Sequence, residues 1–309
     1  MPLDYRRFNG PEDSIPYQRF TKNFIKTYDE LHKDLTNEKG LRKDGRKFDE
    51  ARTMCMFFAR TDMVSQAKGS AYVELKKTKV VCSVFDPREI PHQNEFSNLG
   101  QLFCEVKYAP FSCSQRRPHA PDAEEKALST ALRQALEPAV CRHLFANYQI
   151  DIFIYILEHD GACLAAAINA AGLALADAAV PMYDIITASS LAVIKDKIFV
   201  DPTEAEEHLA IMSPENDSNH GIVTMSLLSG LKQISDFSQT GSMNAECIAK
   251  AMEVLETECD RIVPYIQKIL VTNVVIRLKQ HKILQEEAKE REAALNAKME
   301  EWKLLLNAG

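Results

Sequence analysis

One stretch constrains this chain more than any other. Ala162 to Met182 is its most apolar run, rich in alanine and interrupted by Asn169, Gly172 and Asp177. It reads as a buried helix, not as a bilayer span, which needs about 20 consecutive, predominantly apolar residues. Just upstream, Gln149 to Leu157 is apolar on both alternating faces, the pattern of a strand covered on both sides. His159-Asp160-Gly161 supplies the turn between them. Elements that need this much burial require a sizeable core. With 309 residues, 46% of them apolar, the chain has the material, and two domains is the natural expectation at this length.

The flanking segments point to a mixed α/β chain. Ser70 to Leu75 and Lys79 to Val84 are β-rich runs joined by Lys76-Lys77-Thr78, a hairpin signal. Phe103 to Tyr108 predicts a further strand, and residues 109 to 122 a surface loop with three prolines. Ala127, Leu128, Ala131, Leu132, Ala135 and Leu136 recur at helical spacing, predicting a helix over Ala123 to Leu136 that Pro138 ends. Strands are expected at Asp184 to Val193 and Lys197 to Val200, and a pair at His208 to Met212 and Ile222 to Leu228 around the polar loop from Pro214 to His220. A long helix follows from Asn244 to about Arg277, bent at Pro264. The expected organisation is a polar arm over 1–40 with Pro2, Pro11 and Pro16, two β-α sub-domains over 41–190 and 191–277, and a charged helical tail over 278–309. In that tail Ala288, Leu295, Met299, Trp302 and Leu306 form a rough stripe, fitting either a partner-binding or coiled-coil helix or a solvated terminal one.

Charge and cysteine usage narrow the function. Lys+Arg 37 against Asp+Glu 44 gives a net charge of −7, which argues against a free-standing nucleic-acid binder. A local basic patch within a larger assembly is still compatible with RNA. No apolar run near the start suits a signal peptide, and the 8 cysteines form no CxxC, so reduced thiols and a cytosolic or nuclear protein are expected. No metal site, cofactor or membrane association is expected. There is no GxSxG, HExxH or GxxxxGK[ST], and 11 glycines leave little room for a phosphate-cradling loop.

Two features could carry chemistry. Arg116-Arg117-Pro118, with Arg88 upstream, offers guanidinium forks suited to phosphate oxygens, although adjacent surface arginines commonly just solvate a loop. Asp201, Glu204, Glu206 and Glu207 could hold Mg²⁺ or transfer protons. The competing reading is a helix start, with Asp201 as N-cap, Pro202 at N1 and Glu204 at N3.

The run Arg42-Lys43-Asp44-Gly45-Arg46, followed by Gly69-Ser70-Ala71-Tyr72-Val73, Thr78-Lys79-Val80 and Pro87-Arg88-Glu89, resembles the RNase PH family. Tyr108-Ala109-Pro110-Phe111-Ser112 and the segment from Asp160-Gly161 to Ala178 continue the likeness, which spans roughly residues 40 to 277. The resemblance implies an α+β fold of two β-α sub-domains related to the second domain of ribosomal protein S5. It also implies hexameric rings around a channel, and cleavage of RNA from the 3′ end by inorganic phosphate in active members.

Active members carry a phosphate-binding arginine on the helix before an A-L-E-P-like stretch, and that alignment places Thr130 there. Their D-x-D-x-x-x-D carboxylates align with Asp201, Thr203 and Glu207. Losing a charge-assisted contact to the nucleophile costs about 2–4 kcal/mol of transition-state stabilisation. The degenerate pattern resembles the RNase PH-like subunits of the eukaryotic exosome ring. It implies a non-catalytic subunit in a hetero-hexameric ring with other RNase PH-like subunits, under S1/KH-type cap subunits, with an associated nuclease doing the hydrolysis. Arg88, Arg116 and Arg117 are then expected to contact RNA in the channel, in the nucleus, nucleolus and cytoplasm. The alternatives are an active phosphorolytic exoribonuclease and an RNase PH-like scaffold outside the exosome.

Overall fold

The computed structural model of the protein describes residues 28–35, 41–52, 60–61, 63–90, 96–113, 116–118, 120, 122–212 and 219–307. The three arm prolines and residues 213–218 of the polar loop lie outside the described residues. The chain falls into two compact units, one up to Pro264 and one from Tyr265 on.

The first unit holds two sheets. One contains β1 (Arg60–Thr61), β2 (Gly69–Leu75), β3 (Thr78–Val84), β4 (Arg88–Glu89), β5 (Gln101–Tyr108) and β6 (Tyr148–Glu158), in the order β1-β2-β3-β6. Antiparallel β3 and the short β4 share one edge of β6, and β5 runs parallel along the other. The second sheet is antiparallel, β10-β9-β7-β8, from β7 (Ile186–Ile194), β8 (Lys197–Val200), β9 (His220–Leu228) and β10 (Gln233–Ser242).

The helices are α1 (Tyr28–Leu35), α2 (Ala123–Leu136), α3 (Cys163–Asp177), α4 (Glu204–Ile211) and α5 (Ala245–Asn307). The alanine-rich α3 packs on β2 and β3 on one side and on β7 on the other, which is why small side chains line it all round. Contact is close enough that a Cβ at Gly172 would lie 2.8 Å from Ile186 Cγ2. The polar interruption at Asn169 also has a structural use. Its Nδ2 donates to the Ala188 carbonyl at 2.9 Å and its Oδ1 accepts from the Ala188 N–H at 2.8 Å. Asn169 thus pairs the edge of β7 at a position β8 does not reach.

β7 is buried along its whole length. Ala192 and Ile194 pack with Leu35 of α1, Phe199 of β8 and Leu209 and Ala210 of α4, while Leu191 and Val193 pack with Ala251 and Leu255 of α5. This is the two-faced burial that alternation along a strand demands of a central strand. Residues 28–35 of the expected arm are therefore a helix with Leu35 in the core.

Two expectations need correction. His208 to Ile211 is not a strand but the second half of α4, because Thr203 and Glu206 form a capping box that starts a helix there. The N-cap is accordingly Thr203, not Asp201. A strand without a clear sequence signal, β10, completes the second sheet; its QISDFSQTGS segment is half-exposed and mostly polar.

Candidate functional site

A cavity of about 470 Å³ opens where α2, the start of α3, α4 and the strands β9 and β10 meet. Ala127, Leu128 and Ala131 of α2 form one wall, and Glu204, Glu207 and His208 of α4 face them. Its chemistry is set at the start of α3. The N-terminus of a helix attracts anions, through unpaired N–H groups and the helix dipole. Here the Ala162 N–H donates to Glu207 Oε1 at 2.7 Å, so the chain's own carboxyl fills that place. Burial pushes the Glu207 carboxyl up to about 7.

The opposite rim holds the cavity's guanidinium. Arg117 lies over the Tyr108 ring at 4.0 Å and pairs with Glu124 at 2.8 Å and Asp122 at 3.5 Å. On the floor, His159 Nδ1 is 2.7 Å from Cys163 Sγ. Burial pushes the His159 pKa down and holds the Cys163 thiol far above its ordinary value, so both sit uncharged at neutral pH.

The residues singled out in the sequence separate. Of Thr130, Asp201, Thr203 and Glu207, only Glu207 lines this cavity. Thr130 is exposed on α2 and donates to the Lys126 carbonyl at 3.0 Å. Thr203 caps α4. The two adjacent arginines diverge: Arg116 is exposed, and Arg117 is partly buried in the cavity wall. Arg88 sits on β4, more than half exposed, with its Nε 2.5 Å from Asp151 Oδ2.

Asp201 is drawn into a buried hub. Its carboxylate accepts from Arg52 Nη2 at 2.7 Å, from Arg52 Nε at 2.9 Å and from the Arg52 backbone N–H at 2.9 Å. The same guanidinium donates to the carbonyls of Asp160, Gly161 and Pro202. Thr78 Oγ1 donates to the Gly161 carbonyl at 2.9 Å. Gly161, at φ 83°, lets these segments meet, since a Cβ there would lie 2.4 Å from the Pro202 carbonyl oxygen. Sequence reasoning missed Arg52, which has no local signature: its partner is 149 residues away.

Residues 54–181 match the model of the 3′ exoribonuclease family, domain 1, known as RNase PH. The chain is 32% identical over 287 residues to the human exosome complex component MTR3, covering 88% of this chain and 96% of that one. The chain belongs to the RNase PH family. It is also 39% identical over 192 residues to the exosome complex component Rrp41 of Thermococcus kodakarensis, across 59% of this chain and 76% of that one. In fold it is similar to a subunit of the Archaeoglobus fulgidus exosome solved with RNA bound to the active site, with a TM-score of 0.63 and 19% identity over 77% of this chain and 96% of that chain. The RNase PH fold, with its two β-α sub-domains, is thus shared with exosome subunits.

Within that family frame the motifs read from the sequence are largely architectural. In Arg42-Lys43-Asp44-Gly45-Arg46, Arg42 Nη1 pairs with buried Glu206 of α4 at 3.7 Å, and Arg46 Nη1 donates to the Asp201 carbonyl at 3.4 Å. Thr78, Asp160-Gly161 and Asp201-Pro202 all join the hub around Arg52.

Proposed function

We propose that this RNase PH family member is a non-catalytic ring subunit of an RNA exosome. It would stand in a hetero-hexameric ring with other RNase PH-like subunits, beneath S1/KH-type cap subunits, around a channel through which RNA reaches an associated nuclease. One observation carries the absence of catalysis. Among the described residues lining the cavity, the one guanidinium, Arg117, is committed to two carboxylates, and Glu207 occupies the helix N-terminus where an anion would dock. Glu204 adds a further carboxylate to the lining, so inorganic phosphate finds no uncommitted guanidinium in this cavity. The net charge of −7 fits a subunit that meets RNA only within an assembly.

The place of action that goes with this reading is the nucleus, nucleolus and cytoplasm, in rRNA processing and RNA degradation. The purified chain, given a 3′-labelled single-stranded RNA and inorganic phosphate, is expected to release no nucleoside diphosphate. Phosphate-dependent release would overturn the non-catalytic reading. Native mass spectrometry of the complex co-purifying with the tagged chain is expected to show a mixed ring, and a homo-hexamer would overturn the ring assignment.

A further inference from the structure

The second unit carries a feature that neither the cavity nor the Arg52 hub accounts for. From Val271 the helix α5 carries a 3.5-residue repeat: Val271, Val274, Leu278, Ala288, Leu295, Met299, Trp302 and Leu306 occupy a and d positions, and His281, Gln285 and Glu292 fill the remaining ones. The helix runs unbroken to Asn307, so these 36 positions form a seam about 54 Å long. Of its apolar members, Val271, Val274, Leu278, Leu295 and Met299 are open to solvent, 56–63% exposed. A seam repeating every 3.5 residues stays on one face only if two helices supercoil around each other.

The charges bordering the seam choose the partner. Arg277, Lys282, Lys289, Arg291, Lys298 and Lys303 stand at e and g positions, the others being Val275, Leu284, Asn296 and Leu305, so no acidic residue occupies an e or g position from Val275 to Leu305. The glutamates Glu286, Glu287, Glu290, Glu300 and Glu301 fall at b, c and f, outside the flanking positions, and Glu287 pairs with Arg291 within the helix at 3.4 Å. A second copy would set basic flank against basic flank in either orientation, which e/g pairing disfavours. We propose that this helix is a docking surface for an amphipathic helix of a partner protein whose own seam is flanked by Glu and Asp. Glu292, in an a position, fixes the register by facing a basic side chain of that partner.

Two designed five-heptad peptides test this, both with Leu at a and d and a single Lys opposite Glu292. One carries Glu at every e and g, the other Lys. By fluorescence anisotropy the full-length chain is expected to bind the Glu-flanked peptide at least about tenfold more tightly than the Lys-flanked one, with the difference shrinking in high salt. Reversing four flanks together, Lys282→Glu, Lys289→Glu, Arg291→Glu and Lys298→Glu, is expected to invert the preference at unchanged helix content. Equal binding of both peptides, or of neither, overturns the proposal. So does concentration-dependent self-association that Leu295→Asp abolishes, which would make the occupant a second copy. Binding to phosphatidylserine vesicles or to single-stranded RNA without peptide discrimination would overturn it in favour of an anionic surface.

Discussion

Replacing Asp201 by asparagine separates an architectural carboxylate from a catalytic one. In the folded protein the Arg52 side chain is wholly buried, and Asp201 neutralises it at 2.7 Å. Asn keeps the shape of Asp and tolerates the left-handed backbone at this position, φ 51°, so the substitution removes little besides the charge. Removing one partner of a buried ion pair costs about 3–5 kcal/mol, because the remaining charge is left in a low-dielectric interior. The lower end applies here. Asp160 Oδ2 stands 3.7 Å from the guanidinium, and the carbonyls of Asp160, Gly161 and Pro202 still accept from it. A loss of about 3 kcal/mol is a large part of the 5–15 kcal/mol typical of a folded domain. Urea unfolding should therefore show an unchanged slope and a midpoint lowered by about 1 M. The double variant Arg52→Met, Asp201→Asn should lose less than the sum of the single losses, since neither charge is then stranded. A change below about 1 kcal/mol in the single variant, or strictly additive losses, would refute the reasoning.

Three further outcomes follow from the same contacts. Burial holds Glu207 at about 7, so through the window between the unfolded value, about 4.3, and 7 the folded state keeps a proton that the unfolded chain gives up, and stability falls as pH rises. Glu207→Gln should match the natural protein near pH 4 and exceed it by about 3 kcal/mol at pH 8, and a pH slope that survives the substitution contradicts this. Asn169→Ala strands the N–H and carbonyl of Ala188 and should cost about 2–4 kcal/mol in thermal or urea unfolding; a neutral result would mean water replaces the amide. The arginine pair should split. Arg116→Glu should leave stability within about 0.5 kcal/mol but reduce RNA protection by the assembled complex, whereas Arg117→Glu should cost about 2 kcal/mol by losing its stack on Tyr108 and its carboxylate partners. Equal losses of stability from both would show that Arg116 is not a surface residue in solution.

Much of the fold was legible because its signals are local. The β2–β3 hairpin followed from two β-rich runs three residues apart, and α2 from six apolar residues at helical spacing closed by Pro138. The central helix and β6 announced their burial by being apolar on every face. Where local signals competed, the reading failed. The apolar residues of His208 to Met212 suggested a strand, yet the capping box at Thr203 and Glu206 sets a helix across most of them. β10 hid because an edge strand half in solvent needs no apolar run, only a neighbour in β9 with which to pair.

The sequence by itself determined most of the elements, that the core is large, and which family the chain resembles, since periodicity, caps and motif order all act over a few residues. It also carried the seam and flanking charges of the last helix, which are matters of spacing alone. Only the tertiary structure decided what the candidate charges do. Asp201 was a candidate acid or cap until Arg52, from 149 residues away, claimed it, and Glu207 became a cavity residue only when α4 brought it to the N–H of Ala162. An isolated carboxylate in a sequence has no fixed role, because its chemistry depends on burial and on partners that lie close in space and far along the chain.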